Sequence, residues 1–264
     1  MDTRFVRKMA TFAGHTENEY MTRGGKKESI EFILLHSTKY GDNSLVLHTL
    51  SREWGRRSLF LRSVSGASSL SGASSGGGRK GGGGSRSGVM SLVSPLSILE
   101  GEVSVNPVSA SSMMTVKGLG AVCPLQSLRT NFSKASISMF ISEVLFRTLR
   151  EGANEEGLYD WCVKKILLLD ALEGNFSNFH LLFLLELTVA LGFRPAAADL
   201  APFVPEHLRS TAEKLMSLPF EEALLVPMKG EDRSTLVESI LAYIETHLEY
   251  PLNIRSTAIL RELF

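Results

Sequence analysis

From Ser29 onward the chain sets short apolar runs between turn residues: "EFILLHS", "SLVLHTL" and "RSLFLRS", then, farther along, "LSILEGEVSV" and "MMTVKGLGAV". Short runs rich in Val, Ile, Leu and Phe, bounded by polar and glycine-containing links, are strand patterns, and five in succession predict a small antiparallel barrel or sandwich. The link "TKYGDN" carries Gly41, Asp42 and Asn43, and "SREWG" puts Gly55 where a tight hairpin asks for a positive φ, so the first three strands are expected to be sequential neighbours. After Pro124 the apolar period changes from 2 to 3.6. In "NFSKASISMFISEVLFRTLREG" Phe132, Ala135, Ser136, Met139, Phe140, Val144 and Phe146 alternate with Lys134, Glu143, Arg147 and Arg150 in a helical pattern, with Gly152 as its stop. "EEGLYDWCVKKILLLDALEG" and "NFHLLFLLELTVALGF" predict further helices closed by Gly174 and Gly192; "STLVESILAYIETHLEY" predicts another, and "RSTAILRELF" a last one. The predicted class is α+β, a five-stranded barrel followed by an α-helical bundle.

The strand-rich and helix-rich parts divide near Val122, and residues 1–27, polar and irregular, are read as a disordered extension. Barrel residues 28–122 then precede helical residues 123–264. Between the third and fourth strands runs a Gly/Ser tract over about 65–90, roughly 30 residues where a connection usually takes about 4 to 6. It contains "GGGRKGGGGSRSG". Gly76, Gly78 and Gly81 fit G-x-G-x-x-G, and Gly72, Ser74 and Gly76 fit G-x-S-x-G, but neither has the preceding strand and following helix that the chemistry requires. Lys80 is followed by Gly81 instead of the Ser or Thr of a phosphate-binding P-loop. The tract is a flexible chain carrying charge.

Charge changes the picture of that tract. The formal net charge is zero, yet residues 1–122 hold 15 Lys/Arg against 9 Asp/Glu, while residues 123–264 hold 13 against 19. No acid occurs between Trp54 and Leu99, where Arg56, Arg57, Arg62, Arg79, Lys80 and Arg86 stand together in sequence. A one-sign segment of this length favours a polyanion as partner. A five-stranded barrel of this kind suggests the OB-fold, in which single-stranded nucleic acid lies along a basic groove with bases stacked on aromatic rings. The candidate DNA-binding residues are Lys39, Tyr40, Arg52, Trp54, Arg56, Arg57, Arg62, Arg79, Lys80 and Arg86. Tyr40 and Trp54, placed in connections, are preferred to Phe60 as stacking rings, and Arg56, Arg57 and Arg62, held by a strand, are expected to count for more individually than the cations on glycine-rich chain.

Other chemistry is thin. Cys123 and Cys162 are the 2 cysteines, without C-x-x-C spacing, so they support neither a disulfide framework nor a zinc ribbon. None of His15, His36, His48, His180, His207 and His247 has metal or triad spacing, and no catalytic residue or cofactor is expected. "HLLFLLELTVALGF" is interrupted by Glu186 and is too short to span a membrane, and a cytoplasmic, nucleoid-associated location is expected.

The series "LLHSTKYGDNSLVLHTLSREWGRRSLFLRS", "CPLQSLRTNFSKASISMFISEVLFRTLREGANEEGLYDW", "NFHLLFLLELTVALGFRP" and the final "LRELF" resembles the RecO family over residues 29–264. The resemblance implies a non-enzymatic DNA-repair factor that binds single- and double-stranded DNA and anneals complementary strands. It further implies contact with the acidic C-terminal tail of the single-strand-binding protein and, with RecR, help in loading RecA. Lys134, Arg147 and Arg150 are the candidates for the tail. The chain departs from the family's pattern in its diluted basic loop, in lacking the cysteines of the zinc site that some members carry, and in residues 1–27. The competing expectation is a protein-interaction scaffold whose OB-like barrel has lost DNA binding.

Overall fold

The computed structural model describes residues 27–62, 87–104 and 114–264. Five strands, β1 (Lys27–Tyr40), β2 (Ser44–Ser51), β3 (Gly55–Arg62), β4 (Ile98–Ser104) and β5 (Met114–Ala121), close into a barrel in the order β1-β2-β3-β5-β4. All ladders are antiparallel except the short parallel pairing of β3 with β5, which begins at Leu59 opposite Met114. This is the five-stranded OB barrel that the strand patterns predict. Gly41 (φ 64°) and Gly55 (φ 58°) supply the left-handed conformations at the two tight turns. Inward-facing Ile30, Phe32, Leu34, Leu45, Leu47, Leu59, Leu61, Leu99, Val103 and Val116 fill the interior.

The helices are α1 (Ser87–Leu92), between β3 and β4, then α2 (Gln126–Thr130), α3 (Phe132–Thr148), α4 (Leu158–Ala171), α5 (Phe179–Ala190) and α6 (Ala197–Leu200). A 3₁₀ turn (Glu206–Leu208) leads into α7 (Arg209–Ser217), followed by α8 (Phe220–Ala223), α9 (Gly230–Leu248) and α10 (Thr257–Leu263). The long helices correspond to the predicted ones; the short elements between Ala197 and Ala223 lack a sustained period and are not legible in the sequence. Asn131 caps α3 by accepting from the Lys134 backbone N–H at 3.1 Å. Gly192 (φ 88°) follows the end of α5 as predicted. Gly152 does not end α3, which stops at Thr148, and has another role described below.

Helix α3 departs from its predicted amphipathic phase. Phe132, expected in the core, is 71 % exposed, and Lys134, expected on the surface, is 1 % exposed. The reason is position: α3 packs on β1 along one side and on α5 and α10 along others, so nearly its whole circumference is buried and no single apolar stripe suffices. Its buried serines and threonine donate their hydroxyls to backbone carbonyls. Ser138 and Thr148 donate to the carbonyls of Lys134 and Val144, and Ser142 donates to Leu35 O on β1. Ile33, Leu35, Leu50, Leu96 and Ile98 on the outside of the barrel merge with the helical core of Phe140, Val144, Phe179, Phe183 and Ile240, so barrel and helices share one continuous apolar interior.

Candidate nucleic-acid interface

The outer face of β1, β2 and β3 is decided by one irregularity. The β1–β2 register runs through Leu34 opposite Thr49 and resumes with His36 opposite His48, leaving Leu35 as an extra residue. Side chains alternate strictly along a strand, so one inserted residue turns all that follow to the opposite side. His36, Thr38 and Tyr40 therefore stand on the outer face with His48, Val46 and Ser44 of β2 and with Ser58, Phe60 and Arg62 of β3. The face has two ends.

At the open end Tyr40 is 65 % exposed and meets Phe60 edge to face at 5.5 Å between ring centroids. The Arg62 guanidinium lies 5.9 Å from the Phe60 ring centroid. Lys39 and Arg62 are exposed, and the β1–β2 turn, Gly41 to Asn43, is exposed beside them. Arg57 is also exposed, on β3 before its ladder with β5 begins.

At the covered end the helical region takes hold of β3. Arg56 N–H donates to Ala153 O at 3.0 Å, Gly152 N–H donates to Arg56 O at 2.8 Å, and Ser58 N–H donates to the Glu151 carboxylate at 3.0 Å. The segment 151–153 thus pairs with the β3 edge that β5 leaves free, which answers the usual liability of an unpaired edge. Asn154 donates to the carbonyls of Arg52 and Glu53, and a Cβ on Gly55 would lie 1.9 Å from Ala153 O. Arg56 Nη1 donates to Leu149 O at 2.5 Å, with its guanidinium 4.6 Å from the Phe146 ring centroid. Burial lowers the Arg56 pKa, opposed by the Glu151 carboxylate and Tyr250. Arg52 Nη2 donates to Asp160 Oδ1 at 2.6 Å over the Tyr159 ring, and that hydrogen bond raises its pKa against partial burial.

Between the ends, His36 and His48 stack at 5.8 Å, and each lies 4.9 Å from Phe146. The His48 nitrogens are within reach of Thr38 Oγ1 at 3.3 Å and Ser58 Oγ at 3.0 Å. Burial, then the neighbouring His36 and Arg56, lower the His48 pKa, and Glu151 opposes them.

The predicted residues therefore divide. Lys39, Tyr40, Arg57 and Arg62 reach solvent without such a tie; Arg52, itself exposed, and Arg56 bind the helical region; Trp54 is half-buried and packs against the barrel core. Arg79, Lys80 and Arg86 lie outside the described residues. In the tail-binding set, Arg147 and Arg150 are exposed, but Lys134 is a correction: its Nζ donates to Ser127 Oγ at 2.7 Å, to Asp170 O at 3.2 Å and to Leu172 O, satisfying carbonyls at the end of α4 where no incoming carboxylate reaches it. Phe146, Glu151 and Asp160, which organise the covered end, carried no motif; their roles come from placement alone. Among the described residues, no group of three or more His, Cys, Asp or Glu side chains is placed to hold a metal, and no helix is long and apolar enough to cross a membrane.

A closed barrel that presents aromatic and basic groups on its β1–β3 face and joins a helical bundle defines an OB-barrel protein, a class in which this face and the β1–β2 loop receive oligonucleotides or oligosaccharides. Residues 129–201 match the family described as "Recombination protein O C terminal". The chain is similar to the DNA repair protein RecO of Phocaeicola vulgatus, 29 % identical over 253 residues, and to that of Azobacteroides pseudotrichonymphae, 27 % identical over 252 residues. Each match covers 88 % of this chain and 97 % of the relative. DNA repair protein RecO of Porphyromonas gingivalis is 28 % identical over 261 residues, with the same coverage. Over most of its length the chain is therefore similar to DNA repair proteins named RecO, and part of its helical region matches that family's C-terminal model.

Proposed function

We propose that the protein is a recombination mediator of DNA repair that acts without catalysis. It binds single- and double-stranded DNA, anneals complementary strands, and with RecR helps load RecA onto single strands coated by the single-strand-binding protein. The observation that carries this reading is the open end of the barrel face, where exposed Tyr40 rests against Phe60 with Arg62 beside it and exposed Lys39 precedes it on β1. An aromatic pair flanked by cations suits bases and phosphates that are held without reading sequence. The acidic tail of the single-strand-binding protein is assigned to the helical region, with Arg147 and Arg150 as its ligands. Barrel residues 28–122 and helical residues 123–264 are the units that divide these tasks, and the cytoplasm, on the nucleoid, is where they are performed.

The test is the salt dependence of single-strand binding. Each phosphate contact contributes about −0.7 to the slope of log affinity against log salt on single strands. Replacing residues 66–88 by a neutral Gly/Ser linker removes Arg79, Lys80 and Arg86 and is expected to reduce the slope by up to about 2 units while leaving binding in place. The scaffold reading draws on one observation, that Arg52 and Arg56 are committed to the helical region. It predicts no measurable affinity for single strands even at low salt.

A further inference from the structure

Where the barrel meets the helices, a cavity of about 420 Å³ opens between β1 (Leu34 to Ser37), the segment Val93 to Pro95 before β4, and helices α3 and α10. Its floor is apolar, from Leu35, Met139 and Ile259 among others, and Phe146 and His36 supply aromatic walls. At its mouth stand Arg147 and Arg255, both exposed, and neither guanidinium has a salt-bridge partner among the described residues. Glu143 is the one carboxylate in the lining. Its oxygens accept from the N–H groups of Arg255 and Ser256 and from Ser256 Oγ, at 2.6 to 3.0 Å, which ties them to the start of α10, and two guanidinium groups against this one carboxylate leave the rim net positive. Its volume and apolar floor match small-molecule sites in general.

We infer that this cavity is a nucleobase pocket, which takes one unstacked base of a bound single strand while Arg255 holds a flanking phosphate. The inference rests on the nucleic-acid reading above and extends it to a place outside the barrel's open end. Two features select a nucleotide as occupant. His36, in the cavity wall, lies on the same outer face as Tyr40 and four residues before it, about 13 Å along the strand, a span a short oligonucleotide covers. The Arg255 guanidinium at the rim complements a phosphate beside an inserted base, and the Phe146 and His36 rings offer walls to the base itself. The cavity therefore ends the open face of the barrel at the point where the helices close it.

The experiment uses the full chain and fluorescently labelled oligothymidylate of about 12 nucleotides, with a series of the same strands carrying one abasic site moved along position by position. In the unaltered protein, one position is expected to lose about tenfold in affinity when its base is removed, the scale of one stacked base. Ile259→Trp fills the cavity: it is expected to weaken the intact strand by the same factor and to flatten the scan at that position. Arg255→Glu reads the rim without disturbing the core and is expected to weaken binding several-fold, which keeps the inference testable where Ile259→Trp fails to fold. A flat scan in the unaltered protein overturns the inference, as does wild-type affinity in folded Ile259→Trp or in Arg255→Glu. An Asp-rich peptide is the third arm. If Ile259→Trp abolishes peptide binding and leaves the strand untouched, the cavity is a peptide site and the inference falls. Failure of the unaltered protein to bind any single strand sinks the proposed function itself and this inference with it.

Discussion

The two ends of the β1–β3 outer face are built from the same residue types and do opposite things. At the covered end, Arg52 and Arg56 are tied to Asp160 and Leu149 of the helical region; at the open end, Arg62 has solvent before it. Arg56 and Arg57 are adjacent in sequence, yet one lies over the Phe146 ring and the other is exposed. The helical region repeats the contrast within α3, where Lys134 is buried against carbonyls and Arg147 is exposed. A basic residue's neighbours along the chain say that it is basic; its packing decides whether the charge is used for folding or offered to a ligand.

The comparison is sharpened first by acid. His180, inside the helical core between Phe140 and Phe264, is 2 % exposed, and burial, helped by the Arg233 charge, holds its pKa down to about 3. The unfolded chain binds this proton near pH 6.5 and the folded chain does not, so the stability contribution is complete above that pH and is lost as pH falls toward 3. The expected loss is on the order of 4 kcal/mol across that range, seen as a falling denaturation midpoint in urea. His180→Phe should flatten the profile; an unchanged slope would show that other groups dominate. His48, in the seam, acts in the same direction, its folded pKa also being lowered.

Lys134→Ala comes next. It strips buried carbonyls of Asp170 and Leu172 of a donor, and a loss of about 3 kcal/mol is expected, a drop of roughly 10 °C in Tm. Arg150→Ala, a few turns away and exposed, should move Tm by no more than about 1 °C. Equal effects would mean that the buried and exposed cations of this region are not distinct after all.

Gly55→Ala attacks the covered end directly. A Cβ there meets Ala153 O at 1.9 Å and the backbone sits at φ 58°, so the brace on β3 must give way, at a cost of about 2 kcal/mol. Wild-type thermal stability in this variant would mean that segment 151–153 does not hold β3 in solution.

Arg62→Glu is the smallest change and the one aimed at the open end. Affinity for single-stranded DNA is expected to fall about tenfold, with Tm unchanged within about 1 °C. Arg56→Glu should show the reverse emphasis, a clear loss of stability, because its partner Leu149 O is left without that donor. If Arg56→Glu and Arg62→Glu lowered affinity equally with no change in Tm, the division of the face into two ends would be wrong.

Much of the fold was legible along the chain because strand and helix periods repeat locally. The five apolar runs became β1 to β5, Gly41 and Gly55 took the positive φ their turns require, and the long helices formed where the period of 3.6 was sustained. The candidate site was legible only as an inventory. Tyr40 and Arg62 were readable as an aromatic and a cation near one another in a strand-rich region, but Trp54 proved to pack on the barrel core and Lys134 to be interior.

By itself the sequence determined an α+β chain with a basic, strand-rich first part and an acidic, helical second part, since composition and periodicity are properties of consecutive residues. Only the tertiary structure decided which residues of one face meet solvent. The extra residue at Leu35 turns Tyr40 toward Phe60 and Arg62, and segment 151–153, about a hundred residues from β3 in sequence, covers the edge beside Arg56. A bulge is a mismatch between two strands and a brace is a contact between distant segments, so neither leaves a periodic trace in the strand that depends on it.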